Sequence, residues 1–185
     1  TQKYKMAIAK RRKRFFNVEM PLISKQTQLQ AYELEELDGR LIIYDLTRAL
    51  RGKSMILQLR VKVEDKEVTT APISIKLLPS FLKRMIRKGT NYIEDSFLSP
   101  CKDAQIRIKP FLISRRKISR AVRKALRDKA KEELVNYLKD KTTEEIFKDA
   151  LNNQIQRSLS LKLKKVYPLS LCEIRILKVV EKKEQ

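Results

Sequence analysis

Near Ser114 the hydrophobic period of this chain changes from two to about 3.6, and that change restricts the fold to a strand-rich part followed by a helical one. Before it, Leu41-Ile42-Ile43-Tyr44, Met55 to Val63, Ile73-Ser74-Ile75-Lys76-Leu77 and Ile106-Arg107-Ile108-Lys109 are short, β-branched or alternating, and bounded by turn residues. Gly39, Gly52 and Gly89 all fall in connections, the last after a short helix expected from Pro79 to about Lys88. Several such strands must pair or cover their edges, so the expected fold class is α+β with an antiparallel, β-barrel-like core and flanking C-terminal helices.

After Ser114, Ile118, Ala121, Val122, Ala125 and Leu126 recur at helical spacing. On the same helix Arg116, Arg120, Arg123 and Arg127 fall within roughly 60° of one another at ~100° per residue, which predicts one apolar and one guanidinium face. The apolar stripe drifts through Ala130, Leu134, Tyr137 and Leu138. A second helix starts at the capping-box spacing Thr142-Thr143-Glu144-Glu145 and continues through Ile146, Phe147, Ala150, Leu151 and Ile155 to about Lys165. Leu159 to Leu163 also alternates like a strand, but good helix formers and the lack of a preceding turn favour helix. Pro168 ends it, and residues 171–180 read as a final strand.

Charge says what this scaffold is for. There are 43 Lys and Arg against 22 Asp and Glu, no His, and a formal charge of +21 over 185 residues, so a polyanion is the expected partner. The charge is uneven. Residues 1–14 contain seven cations, no acid and few apolar residues, which predicts an extended N-terminal arm that orders on a polyanion, with 15–185 as one globular domain. A solvated tail or a localisation signal is the alternative for that arm. Arg107 to Lys131 has 11 basic residues and one acid, Asp128. Arg48, Arg51 and Lys53 surround Gly52, and Lys83, Arg84, Arg87 and Lys88 precede Gly89.

Planar guanidinium forks and ammonium groups on rigid elements suit phosphate oxygens. The candidate RNA-binding residues are therefore Lys10, Arg11, Arg12, Lys13, Arg14, Arg51, Lys53, Arg84, Arg87, Lys88, Arg115, Arg116, Lys117, Arg120, Arg123, Lys124 and Arg127. Phe15 and Phe16, directly after the arm, are candidates for stacking on unpaired bases, whereas Phe111, Phe147 and Tyr167 are expected in the core.

Other chemistries find little support. The glycine spacing of a phosphate-binding nucleotide loop is missing, and without His the usual general base and metal-ligand sets are missing too, so no catalytic residue, metal or cofactor is expected. Cys101 and Cys172 are too few for a disulfide framework and suit a reducing, intracellular setting. No segment approaches the ~20 apolar residues of a membrane span, and the basic N-terminus lacks the apolar run of a secretory signal.

A set of landmarks in this order resembles the archaeal and eukaryotic small-ribosomal-subunit protein family called S-one-e, or S-three-a in eukaryotes. They are Lys13-Arg14-Phe15-Phe16-Asn17-Val18-Glu19-Met20-Pro21, Gly39-Arg40-Leu41, Asp45-Leu46-Thr47, Ile106-Arg107-Ile108-Lys109-Pro110 with Arg115-Arg116, Val166-Tyr167-Pro168-Leu169, and Glu173-Ile174-Arg175. The sequence departs from the family at Arg48 to Gly52, at Met20, and at Gly89 and Asn91, where Arg is common. The resemblance implies a non-enzymatic structural constituent of the cytoplasmic small ribosomal subunit. It would sit on the platform near the RNA 3′ end and the messenger exit, binding small-subunit ribosomal RNA, neighbouring small-subunit proteins and messenger RNA near the exit. The competing reading is a free-standing nucleic-acid chaperone or DNA-compacting protein. A peripheral membrane role is disfavoured because the arm lacks an amphipathic anchor.

Overall fold

The computed structural model describes residues 12–50, 52–64 and 67–180. The chain opens with an antiparallel ribbon of β1 (Arg14–Met20) and β2 (Lys25–Ala31), in register from Arg14 opposite Ala31 to Met20 opposite Lys25. A single 3-10 turn, Glu35–Leu37, follows. β3 (Leu41–Asp45), β4 (Met55–Glu64) and β5 (Glu67–Leu77) form a meander, then come α1 (Pro79–Met85), β6 (Tyr92–Glu94), β7 (Phe97–Pro100) and β8 (Gln105–Ser114). α2 (Arg120–Lys139), α3 (Thr143–Leu151) and α4 (Gln154–Leu163) precede β9 (Leu169–Val180).

The main sheet has seven strands in the order β3-β4-β5-β9-β8-β6, with β7 also on β8, and every pairing is antiparallel. β6 and β7 share one edge of β8 in tandem, opposite Phe111–Ile113 and Gln105–Ile108 respectively. Among the described residues the two ends of this order do not pair, so the expected barrel-like closure is not confirmed and the sheet is open. β9, expected to begin at 171, begins at Leu169 and fills the centre between β5 and β8.

Proline sits where the ladder already breaks. The β4/β5 register shifts between Gln58 and Leu59, with Pro72 opposite Leu59, and the β8/β9 register shifts between Lys109 and Pro110. A residue without an amide proton is tolerated at a bulge but not in a regular central strand. The second bulge leaves Arg175 without an opposite residue, and its Nη1 donates to both carboxylate oxygens of Glu94 at 2.9 Å.

The helical half differs from expectation in two ways. α2 starts at Arg120, where the Ser119 hydroxyl accepts the Val122 amide at 3.4 Å, so Arg116 and Ile118 lie in the loop before it. The single helix expected from Thr142 to about Lys165 is two, because Asn153 adopts φ 60°, a left-handed conformation that Asn tolerates better than most residues and that ends α3. The Thr142 capping box forms as read: its hydroxyl accepts the Glu145 amide at 3.4 Å, and the Glu145 carboxylate accepts the Thr142 amide at 3.1 Å. Leu159 to Leu163 is helical, in α4.

The helices cover one sheet face. Leu57, Leu59, Ile75, Leu77, Ile106, Ile108 and Leu177 join Leu126, Leu134, Leu138, Ile146, Phe147, Ile155 and Leu159 in the main core. Phe111 and Phe147 are fully buried, as expected, while Ala121 and Ala125 are exposed and Leu126, Ala130, Leu134 and Leu138 carry the buried stripe of α2. A smaller cluster of Val18, Ala31, Leu37, Val61 and Val68 fastens the β1/β2 ribbon to the far ends of β4 and β5, where the Thr70 hydroxyl donates to the Glu19 carbonyl at 3.1 Å.

Candidate nucleic-acid interface

Two basic clusters separated in sequence meet at a hydrogen-bonded junction. Gly89, at φ 83°, closes a turn in which the Arg87 carbonyl accepts both the amide and the hydroxyl of Thr90, at 3.3 and 2.7 Å. The next residue, Asn91, is tied to the end of β8: its amide donates to the Ser114 hydroxyl oxygen at 3.0 Å, and its carbonyl accepts the Ser114 amide at 2.9 Å. The Asn91 side-chain oxygen then accepts the Ile118 amide at 2.9 Å, and the Ser114 hydroxyl donates to the Arg116 carbonyl at 2.6 Å. Ser114 is fully buried. The turn carrying Arg87 and Lys88 is thereby fixed beside the loop carrying Arg115, Arg116 and Lys117, and all five side chains are exposed. None of the five has an ion-pair partner among the described residues.

α2 continues this surface from that loop. Arg120, Lys124 and Arg127 are exposed; Arg123 is half-buried, and its Nε is buried without a hydrogen-bond partner among the described residues. Arg127 lines a hollow with Glu94, Asp95 and Arg175, so acids share its surroundings. Beyond it the helix turns to internal pairing. Lys129 meets Glu132 at 3.0 Å and Glu133 at 3.4 Å, and Glu133 also meets Lys162 of α4 at 2.5 Å. These carboxylates raise the Lys129 pKa, and the two lysines, Lys162 foremost, hold the Glu133 carboxyl below its ordinary value. The long basic segment is therefore not one surface: its C-terminal cations belong to the fold, and Arg107 and Lys109 lie on the sheet.

Of the N-terminal candidates, Lys10 and Arg11 lie outside the described residues, as does Arg51. Arg12, Lys13 and Arg14 are exposed, with the Lys13 ammonium 5.5 Å from the centre of the Tyr32 ring. Phe15 is 65% exposed, but alternation along β1 turns Phe16 into the smaller cluster, which removes it as a free stacking ring. Arg84 is exposed in the last turn of α1 and lies 5.9 Å from the centre of the Phe81 ring.

Lys53 is where the sequence reading fails. It is 9% exposed, its Nζ meeting the Glu173 carboxylate at 2.6 Å and donating to the Asn153 side-chain oxygen at 2.7 Å. This pair lines a cleft of about 830 Å³ between the Leu50–Lys53 connection, α4 and β9. The charge of this ammonium is matched within the fold. Cys172 lines the same cleft, and burial pushes its thiol up to about 12, away from the reactive range.

The sheet gathers further basic residues, two of them from the Arg107 to Lys131 segment. Strand pairing places Arg107 opposite Lys178, Lys178 opposite Ser74, and Lys76 opposite Ile176, so Arg107, Lys109, Lys178 and Lys76 cluster on the sheet face away from the helices. Period-two alternation marks each as facing outward, but only the strand order brings them together. Tyr92, next to Asn91 of the junction, is 55% exposed.

Among the described residues no group of three or more His, Cys, Asp or Glu side chains could hold a metal ion, and no helix is long and apolar enough to cross a membrane. The arrangement offers exposed cations on a turn and a loop that buried hydrogen bonds hold in place.

Comparison with known proteins agrees with the landmarks. A Nanoarchaeum equitans protein named small ribosomal subunit protein eS1 is 30% identical over 168 residues, covering 85% of this chain and 84% of that protein. A protein of the same name from Pyrobaculum aerophilum is 25% identical over 189 residues, covering 96% of this chain and 86% of its own length. A third, from Methanothermobacter thermautotrophicus, is 28% identical over 120 residues, covering 64% and 62%. The profile of the Ribosomal S3Ae family matches residues 2–183, and the chain belongs to that family.

Proposed function

We propose that this protein is a structural constituent of the small ribosomal subunit that binds ribosomal RNA through phosphate contacts. The observation that carries the reading is the junction at Asn91 and Ser114, which sets Arg87 and Lys88 beside Arg115, Arg116 and Lys117 and leads into the arginines of α2. Five exposed cations without acidic partners among the described residues repel one another, and a polyanion relieves that repulsion. The N-terminal basic residues, and neighbouring small-subunit proteins, complete the contacts. Family membership supports, as part of the same proposal, a position on the platform near the RNA 3′ end and the messenger exit, with messenger contact there.

The test replaces Arg115, Arg116 and Arg120 together with Glu, sparing the half-buried Arg123. The unaltered chain is expected to co-sediment with small subunits through a high-salt gradient and the triple variant to stay at the top, with both giving the same circular dichroism. Recovery of the unaltered chain only in free or nucleoid fractions would replace the ribosomal reading with that of a free-standing nucleic-acid chaperone or DNA-compacting protein.

A further inference from the structure

We infer that Tyr92 is a stacking platform for an unpaired RNA nucleotide whose flanking phosphates are held by the Arg87–Lys88 turn and the Arg115–Lys117 loop. This rests on the phosphate-binding reading and adds to it a base-binding position. Tyr92 opens β6, the edge strand, opposite Ile113. Its ring stacks on that of Phe111, with centroids 6.1 Å apart and planes 23° apart, the diagonal contact expected two residues along the facing strand. Phe111 is 1% exposed while Tyr92 is 55% exposed, so one ring is fixed in the core and carries the other at the surface. A ring held in this way loses little conformational freedom when a second flat group is laid on it.

The surroundings select the ligand. Arg87-Lys88-Gly89-Thr90-Asn91 leads directly into Tyr92, and Ser114 to Ser119 begins immediately after its partner Ile113; neither segment contains a carboxylate. The hydrogen bonds among Asn91, Ser114, Arg116 and Ile118 hold both segments against the strand. Basic, acid-free segments that enter and leave the strand pair holding an exposed aromatic ring match a nucleotide with its base stacked and its flanking phosphates paired. Duplex RNA does not offer this, because its base faces are already stacked. Of the other exposed aromatic rings, Tyr32 already lies beneath the Lys13 ammonium, and Phe15 stands on the two-stranded ribbon rather than on the main sheet.

The experiment measures binding of the full chain to a short oligouridylate, whose bases are free, and to a fully paired RNA hairpin stem. Tyr92→Phe is expected to match the unaltered chain on both. Tyr92→Leu, which keeps apolar contact with Phe111, should bind the oligouridylate about 5- to 150-fold more weakly, the range of one stacked base, with duplex binding and salt dependence unchanged. Equal affinity of Tyr92→Leu and the unaltered chain for the oligouridylate would overturn the inference and leave the phosphate reading standing, as would equal losses on both RNAs. Failure of the unaltered chain to bind either RNA would remove the phosphate reading, and this inference with it.

Discussion

Replacing Lys53 with Met separates a structural cation from a nucleic-acid contact. In the folded protein the Lys53 and Glu173 side chains are 11% and 13% exposed and meet at 2.6 Å, with Asn153 as the second partner of the ammonium at 2.7 Å. Methionine fills much of the same volume and leaves the Glu173 carboxylate in the cleft wall without its countercharge. Removing one member of a buried pair costs about 3–5 kcal/mol, and since the cleft admits water to one side we take the lower end, about 3 kcal/mol. With a urea slope of about 2 kcal/mol/M for a chain of this size, the unfolding midpoint should fall by about 1.5 M. Adding Glu173→Gln to Lys53→Met removes the orphaned charge and should recover most of that loss, a coupling visible in a double-mutant cycle. RNA affinity at fixed salt should remain within about twofold, and the salt slope should not change, because no phosphate contact is lost. The opposite pattern, an unmoved midpoint with weaker RNA binding and a salt slope reduced by about 0.7–0.9, would refute the structural role and restore Lys53 as a phosphate ligand.

The other two predictions concern the cleft thiol and a helix cap. Because burial lifts the Cys172 thiol to about 12, iodoacetamide at pH 8 should label Cys101 well before Cys172 in the folded chain, with equal labelling in urea; mass spectrometry of tryptic peptides reads the difference, and fast labelling of Cys172 would contradict its burial. The raised value also has a sign: the folded state holds this proton more tightly than the unfolded state, so its contribution to stability is full below the ordinary value of 9.0 and declines as pH rises toward 12. Thr142→Ala should cost about 1 kcal/mol in urea unfolding at neutral pH by removing half of the capping box. The Thr142 backbone amide holds the Glu145 carboxyl below its ordinary 4.5, so the Glu145 half of the box contributes above that value and is lost as pH falls through the lowered one. A pH-independent difference between Thr142→Ala and its double variant with Glu145→Gln across that acid range would count against this assignment.

Elements written in local pattern were legible before the fold was known. The strands from Leu41, Met55 and Ile106, the helix from Pro79, the Thr142 cap and the burial of Phe111 and Phe147 all follow from period, turn chemistry and capping residues a few positions apart. Length and register were harder. β5 begins at Glu67 rather than Ile73 because pairing with β4 extends a stretch of Thr, Ala and Pro that has no alternation of its own. The break at Asn153 was hidden because one left-handed residue leaves the hydrophobic stripe intact on either side.

For the interface, the sequence alone determined which segments are cationic, that they lack acids, and that α2 has both an arginine-bearing and an apolar side. Those properties belong to residue type and to spacing within one element, and they carry the family landmarks as well. Only the tertiary structure decided which cations are free. Lys53 is withdrawn by Glu173, a residue 120 positions away in sequence, and Lys129 by Glu132 and Glu133 together with the Lys162 pairing on α4. Arg87 and Arg115 are drawn together because Asn91 and Ser114 satisfy one another's hydrogen bonds at the sheet edge. The physical reason is that charge is fixed by composition, whereas its availability depends on desolvation and on partners that the folded chain alone brings within a few ångströms.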